Sequence, residues 1–172
     1  MTIPLDPIRT PRCRIDPLQI EDAAALQSIT DASVTERVHF LPEPFTLADA
    51  RALIVGSTRE DRFLAVRSPE GATLLGVIGV HEKRERAIEI GYWFAATARG
   101  KGLATEALRA VTAQLASLNP DRRIVAECHS DNRRSWALLE RIGFVPAGTA
   151  GERPGRRLLV RKAEAGYRID VC

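Results

Sequence analysis

The residues whose types and spacing point most directly to chemistry are Arg99, Gly100, Lys101 and Gly102. They follow an apolar, aromatic run over 87–95, in which Ile88, Ile90, Tyr92 and Phe94 alternate as in a buried strand. A run rich in Ala, Leu and Glu comes next and predicts a helix over 103–118. The first N–H groups of a helix have no intrahelical partners, and the helix dipole favours negative charge there. Phosphate groups exploit both. Gly100 and Gly102 let the backbone approach a ligand with no Cβ between them, and Arg99 and Lys101 add positive charge. The turn therefore predicts a site for a phosphate-bearing small molecule. It is too short for a GxxxxGK[ST] loop, and Thr105 stands where a dinucleotide fingerprint needs its third glycine. A capped helix with a basic first turn fits the same four residues.

The elements that must position this turn can be read along the chain. Residues 1–10 carry two prolines and no periodicity, and read as a loose leader to a domain over 11–172. Arg12 to Pro17 predicts a short strand, and Gln19 to Ala32 a helix with acidic residues in its first turn. Pro42 and Pro44 break the segment from Val34 to Phe45 into a short helix and a loop. Thr46, with Asp49 three residues on, is the expected N-cap of a helix ending at Gly56. Strands over 61–67, 73–82 and 87–95 follow with hairpin-length connections, as an antiparallel meander. After the 103–118 helix come a strand over 123–128, a helix over 135–142 and strands over 143–148 and 156–162, with Tyr167 to Val171 extending or capping the last. This is one α/β domain with a mixed sheet and helices on both faces.

Composition narrows the class. At 172 residues, 45% hydrophobic and 27% charged, the chain suits a single soluble domain. No apolar run approaches the roughly 18 residues of a membrane helix, and the N-terminal stretch lacks the apolar core of a secretory signal. Cys13, Cys128 and Cys172 are odd in number and widely spaced, which suggests neither a disulfide framework nor a zinc site. A reducing cytoplasm is the expected setting. The net charge of +3 does not by itself argue for nucleic acid, but it suits an anionic ligand.

A second constellation lies about thirty residues after the first, in Glu127 to Phe144, ECHSDNRRSWALLERIGF. With it, the sequence resembles the GNAT-superfamily N-acetyltransferases. Their [QR]xxGx[GA] turn, which holds the pyrophosphate of acetyl-CoA, is matched by Arg99, Gly102 and Ala104. Their Nxx[SA]xx[LY]…GF signature is matched by Asn132, Ser135, Leu138, Gly143 and Phe144. The resemblance covers roughly 10–162, and the N-terminal half is similar to the ribosomal-protein N-terminal acetyltransferase branch (RimJ/RimL-like).

The resemblance implies a mixed, mostly antiparallel central sheet, splayed between two parallel strands so that the pantetheine amides pair with exposed backbone. It places the donor on Tyr92 and Phe94 of the first strand, on Arg99, Gly100, Lys101, Gly102, Leu103 and Ala104 of the turn, and on Asn132 and Ser135 beyond the second strand, Ile124 to Cys128. Asn132 either bonds the donor or caps the next helix. Ser135 either approaches the thioester sulfur or is simply a small residue at a helix start. Leu138 and Leu139 occupy the region where many family members carry a tyrosine that protonates the leaving thiolate, so Ser135 or water is left to serve. A coenzyme A thiolate leaves tolerably well without full protonation, its thiol resembling a free cysteine at about 8.5.

For the base, Glu89 lies between Ile88 and Ile90, where burial is expected to raise its pKa and suit it to take a proton. The alternative is a strand-edge charge paired with Arg84 or Arg86. Glu127 is a second candidate, and His129 an exposed loop histidine. Arg133, Arg134 and Arg141 form either a phosphate contact or a solvated basic face. The run RPGRRLLVRK, 153–162, either steers an acidic acceptor or ribosomal RNA, or is an arginine-faced edge strand. No cysteine stands where an acyl-enzyme would need it.

The expected function is transfer of acetyl from acetyl-CoA to a primary amine, of a protein N-terminus or a small molecule, in a ternary complex without a metal. The partners are the donor and an amine acceptor, with no membrane and with nucleic acid only through a ribosomal substrate. The protein is expected as a monomer or homodimer. Two alternatives use the same fold: an acyl-CoA-binding module without turnover, and a basic RNA- or ribosome-associated protein.

Overall fold

Three strands of nearly continuous apolar sequence make the centre of the sheet, and their composition requires cover on both faces. These are β3 (Asp61–Arg67), β4 (Leu74–Lys83) and β5 (Ala87–Phe94). The computed structural model describes residues 7–162, so the expected extension at Tyr167 to Val171 and Cys172 lie outside the described residues. Before β3 stand β1 (Ile8–Arg9) and β2 (Arg14–Pro17), and after β5 come β6 (Arg123–His129), β7 (Phe144–Ala150) and β8 (Arg156–Arg161). The eight strands form one sheet in the order β1-β2-β3-β4-β5-β6-β8-β7. Every neighbouring pair is antiparallel except β5 and β6. The mixed sheet expected from the sequence is the sheet observed.

Side chains alternate between two cores, one on each face. Phe63, Ala65, Val77 and Trp93 pack with Leu26 of α1 (Ala23–Ile29) and Ala50 of α3 (Leu47–Val55). Leu64, Val66, Ile78, Ile88 and Ile90 pack on the other face. There they meet Leu108, Val111 and Leu115 of α4 (Leu103–Leu118) and Leu139 of α5 (Arg133–Arg141). Each fully buried aliphatic side chain contributes roughly 1.5–3 kcal/mol, so the two cores hold the sheet rigid beneath the site. β4 and β5 pack closely at Gly76, where a Cβ would lie 2.5 Å from the Phe94 ring.

Two details differ from expectation. The helix predicted over 19–32 begins as a 3-10 turn (Ile20–Asp22) and ends early, at Ile29 of α1, and the short helix expected within 34–45 starts sooner, as α2 (Ala32–Thr35). Asp31 ends the first run by capping the second: its carboxylate accepts the N–H of Ser33. The apolar periodicity runs past Ile29, which is why the sequence places the boundary between the two helices a few residues late. At the other end, Ile8 and Arg9, in the stretch read as a loose leader, pair with Ile15 and Arg14 as an edge strand. Thr46 caps α3 as expected, in a box with Asp49.

The connection that builds the site is the parallel one. β5 and β6 pair only through Ala87–Arg123, Ile88–Ile124 and Glu89–Val125. Beyond Glu89 they diverge. β5 runs on to Phe94, and β6 runs on to His129 paired with β8 on its far side. The edge of β5 that faces the gap is thus left with unpaired backbone groups, which demand a partner.

Candidate active site

At the end of β5 a 3-10 turn (Ala96–Ala98) leads into the glycine turn. Gly100 and Gly102 have φ of +74° and +76°, the left-handed region that other residues adopt only under strain. Gly102 is also the N-cap of α4, and no side chain caps that helix. The first-turn N–H groups of Leu103, Ala104 and Thr105 are therefore presented at an exposed turn. Behind it, Arg12 donates to the carbonyl of Lys101 and to Glu106, and Thr10 also donates to Glu106. That network neutralises the one acidic residue in the first turn of α4. Arg99 turns its guanidinium away from the turn, donating to the Phe94 carbonyl and the Ser33 hydroxyl. What Arg99 offers at the turn is thus its backbone. Lys101 is exposed, and Phe94 places its ring in the core, leaving its backbone on the strand edge.

A cleft partly open to solvent occupies the gap between β5 and β6. Glu89, Tyr92, Asn132 and Ser135 all line it, while residues 99–104 lie outside its lining. Asn132 caps α5 through Ser135 N–H, which donates to its side-chain oxygen at 3.3 Å. The Tyr92 hydroxyl reaches across from β5 to the Ser135 hydroxyl at 2.7 Å and lies 3.3 Å from the Ser135 carbonyl. Burial pushes the Tyr92 phenol well above its ordinary pKa, so it keeps its proton. A tyrosine therefore does stand at the start of α5, supplied by β5 rather than by the Leu138 and Leu139 positions. Cys128, at the end of the second strand of the splay, also lines the cleft. Its thiol is directed to the carbonyls of His129 and Asn132. Burial raises its pKa, although the Ser135 hydroxyl beside it pulls the other way.

Glu89 stands on the last paired rung of β5 and β6, with a side chain only 5% exposed. Burial alone would raise its pKa as expected from the sequence. Arg153 grips both carboxylate oxygens, and Lys83 lies 3.2 Å from one of them. Together they outweigh burial and hold the carboxyl below its usual range. The partners are Arg153 and Lys83, rather than the Arg84 or Arg86 suggested by sequence proximity. Glu127, with a side chain 2% exposed, accepts from Arg153 Nη1 at 3.0 Å and from the backbone N–H groups of Glu152 and Arg153. Its carboxyl lies so close to Gly151 that a Cβ there would be 2.7 Å away. Glu127 thus fixes the 151–153 loop, and that loop aims Arg153 at Glu89.

The outer wall is aromatic and basic: Phe40, Phe63 and Trp93 lie with ring centroids 6.0–6.4 Å apart, and His39 packs edge-on to Phe40. Trp93 donates to Thr30 and serves both core and wall. Burial, with Arg153 and Arg156 nearby, lowers the His39 pKa and keeps the imidazole neutral near pH 7. Arg153, Arg156 and His39 could not be assigned to the site from local spacing, because contacts between segments far apart in the chain bring them there. The arginine-rich run at 153–162 was the only available signal. Arg133, Arg134 and Arg141 are exposed. Among the described residues no cluster of three or more His, Cys, Asp or Glu could hold a metal, and no helix is long and apolar enough to cross a membrane.

Comparison with known proteins agrees with this geometry. The ribosomal-protein-serine acetyltransferase of Escherichia coli (strain K12) is 35% identical over 77 residues, 44% of this chain and 43% of that protein. The aligned segment thus spans less than half the length of this relative. A GNAT-family acetyltransferase from Bacillus anthracis superposes with a TM-score of 0.78 at 24% identity, covering 90% of this chain and 97% of that one. RimL, a ribosomal α-N-protein acetyltransferase in complex with coenzyme A, superposes at 0.77 and 19% identity over 94% and 97%. At these identities the superpositions speak for the fold. The family profile described as an acetyltransferase (GNAT) domain matches residues 12–145, most of the chain, and includes both the glycine turn and the splayed strands. With the parted β5 and β6 opening onto an uncapped helix, this match establishes that the chain belongs to the GNAT acetyltransferase family.

Proposed function

We propose that the chain is an acetyl-CoA-dependent N-acetyltransferase that transfers acetyl directly to a primary amine in a ternary complex. The observation that carries this reading is the parting of β5 and β6 after Glu89, just before a turn with two left-handed glycines and an uncapped helix. The pantetheine arm adds to the free edge of β5 near Tyr92 and Phe94, as a strand would. The pyrophosphate meets the backbone of residues 99–104 and the charge of Lys101. The acceptor amine enters from the aromatic and basic side of the cleft. RimL is an α-N-protein acetyltransferase by name, and the Escherichia coli relative is named for a ribosomal-protein serine, so a protein N-terminus heads the acceptors to test, ahead of small amines. Cys13 and Cys128 are free thiols, in keeping with a cytoplasmic setting.

The amine lone pair attacks the thioester carbonyl, and a β5 backbone N–H receives the developing oxyanion. As the intermediate collapses, the C–S bond breaks and the thiolate takes a proton from the Ser135 hydroxyl, Ser135 takes one from Tyr92, and Tyr92 recovers its own from the water that receives the ammonium proton. The ammonium proton leaves through water. Glu89, held anionic by Arg153 and Lys83, stabilises through its field the positive charge that develops on the attacking nitrogen, and is too weak a base to keep the proton. Cys128 offers an acyl-enzyme route, but its buried thiol keeps its proton and is a poor nucleophile.

Steady-state rates with acetyl-CoA and a panel of peptide and small-molecule amines test this reading. Intersecting double-reciprocal lines, with activity retained in Cys128→Ala, are expected. Parallel lines with acetylated Cys128 would contradict direct transfer, and donor binding without thiol release would leave a binding module.

A further inference from the structure

Arg156 begins β8 directly opposite His129 at the open end of the splay, and it lines the cleft. Its guanidinium is half-buried, yet both of its observed contacts are to neutral backbone: Nη1 to the Glu127 carbonyl at 3.4 Å and Nη2 to the Arg37 carbonyl at 2.7 Å. The other two cleft guanidiniums are neutralised, Arg37 by Asp131 and Arg153 by Glu89 and Glu127. Among the described residues no carboxylate lies within ion-pair distance of Arg156. A guanidinium has five N–H donors, and the carbonyl contacts occupy only part of that set. Those contacts also fix its plane, so an arriving anion meets an ordered fork at little further entropic cost. The partial burial of an uncompensated cation is costly until an anion arrives. Burial and the neighbouring Arg153 lower the Arg156 pKa, against the opposing pull of Glu127 and Glu89, whose carboxylates are engaged by Arg153.

We infer that Arg156 is a specificity-determining residue that receives a carboxylate of the acceptor, so that the preferred substrate is an amine carrying an acidic group a few bonds from the reacting nitrogen. This rests on the acetyltransferase reading above. Two sources supply the chemistry: the α-carboxylate of a free amino acid, and an acidic side chain near the N-terminus of a peptide. The aromatic wall of Phe40 and Phe63 accommodates the apolar part of either.

The test compares matched acceptors with wild-type protein, Arg156→Ala and Arg156→Lys. One arm sets a free amino acid against its carboxamide; the other sets a short peptide with Glu at its second position against the same peptide with Gln. The acidic member of at least one pair is expected to have a kcat/KM about ten- to hundredfold higher, through KM, as for one charge-assisted fork. Arg156→Ala should bring that ratio close to one and Arg156→Lys restore part of it, with acetyl-CoA affinity retained in both as evidence of folding. The arm that shows the preference identifies the source. An equal preference in Arg156→Ala, no preference in the wild type, or donor binding with no amine acetylated would overturn the inference. Failure of the wild-type protein to bind acetyl-CoA would instead overturn the acetyltransferase reading on which it stands.

Discussion

In the proposed mechanism the hydroxyls of Tyr92 and Ser135 set the chemistry available at the sulfur. The serine stands in the first turn of α5, fixed by its N–H bond to Asn132, and the phenol reaches it from β5. Because burial keeps the phenol protonated, the pair is a proton donor throughout the neutral range. Tyr92→Phe removes the relay while keeping the ring. It is expected to lower kcat by about a hundredfold, at the lower end for general acid catalysis because a thiolate already leaves well, with acetyl-CoA affinity unchanged by calorimetry. Glu89→Gln tests the other proton. Turnover should fall about tenfold while the acidic limb of the pH–rate profile persists, because the carboxylate stabilises the developing ammonium rather than taking its proton. Loss of that limb would make Glu89 the base after all. The sequence pointed to Glu89 and Ser135, but their partners lie 64 and 43 residues away. Spacing rules see neighbours on one element, and neither the Arg153 clamp nor the Tyr92 bond is of that kind.

Elements position these residues by two loops of opposite character. The glycine turn before α4 was legible because its requirements are local: left-handed φ at Gly100 and Gly102 and a helix start just beyond. The 151–155 loop was not, because its shape depends on Glu127 from β6, whose carboxylate holds the loop's N–H groups. Gly151→Ala would drive a Cβ into that carboxylate. A cost of about 1–3 kcal/mol is expected, seen as a Tm lower by roughly 3–10 °C, with a larger loss of turnover than of donor affinity because Arg153 loses its aim. The boundary between α1 and α2 was misplaced by a few residues for a related reason. Apolar periodicity continues across Thr30 and Asp31, and only the cap at Asp31 marks the break.

At the scale of the whole molecule, the sheet is the scaffold and the gap in it is the site. The antiparallel meander of β3, β4 and β5 followed from hairpin-length connections and the parallel pair from the family resemblance, and both are observed; the order β6-β8-β7 rests on long-range pairing that spacing does not reveal. The gap concentrates charge where the sheet would otherwise be continuous, so stability should depend on pH. The Glu89 pKa is lower folded than unfolded, so its contribution is complete above the ordinary carboxylate value of about 4.3 and is lost as pH falls through the folded value. Lys83, raised by Glu152 and Glu89 against the effect of burial, contributes below its ordinary value of about 10.4 and loses that contribution as pH rises through the folded one. Urea midpoints should therefore be flat through neutrality and fall in acid, with a shallower acid slope in Glu89→Gln.

The most direct test of the central claim, that the parted strands and glycine turn form a donor site, is calorimetric titration of acetyl-CoA into wild-type protein and Gly102→Glu. Saturable one-to-one binding by the wild type, weakened by about a hundredfold or more in a folded Gly102→Glu variant, is the predicted result, since the glutamate sets bulk and negative charge where the pyrophosphate should lie. No binding by the folded wild type, or equal affinity in the variant, would mean that the turn is only the start of a helix, and the assignment of the donor site would fall.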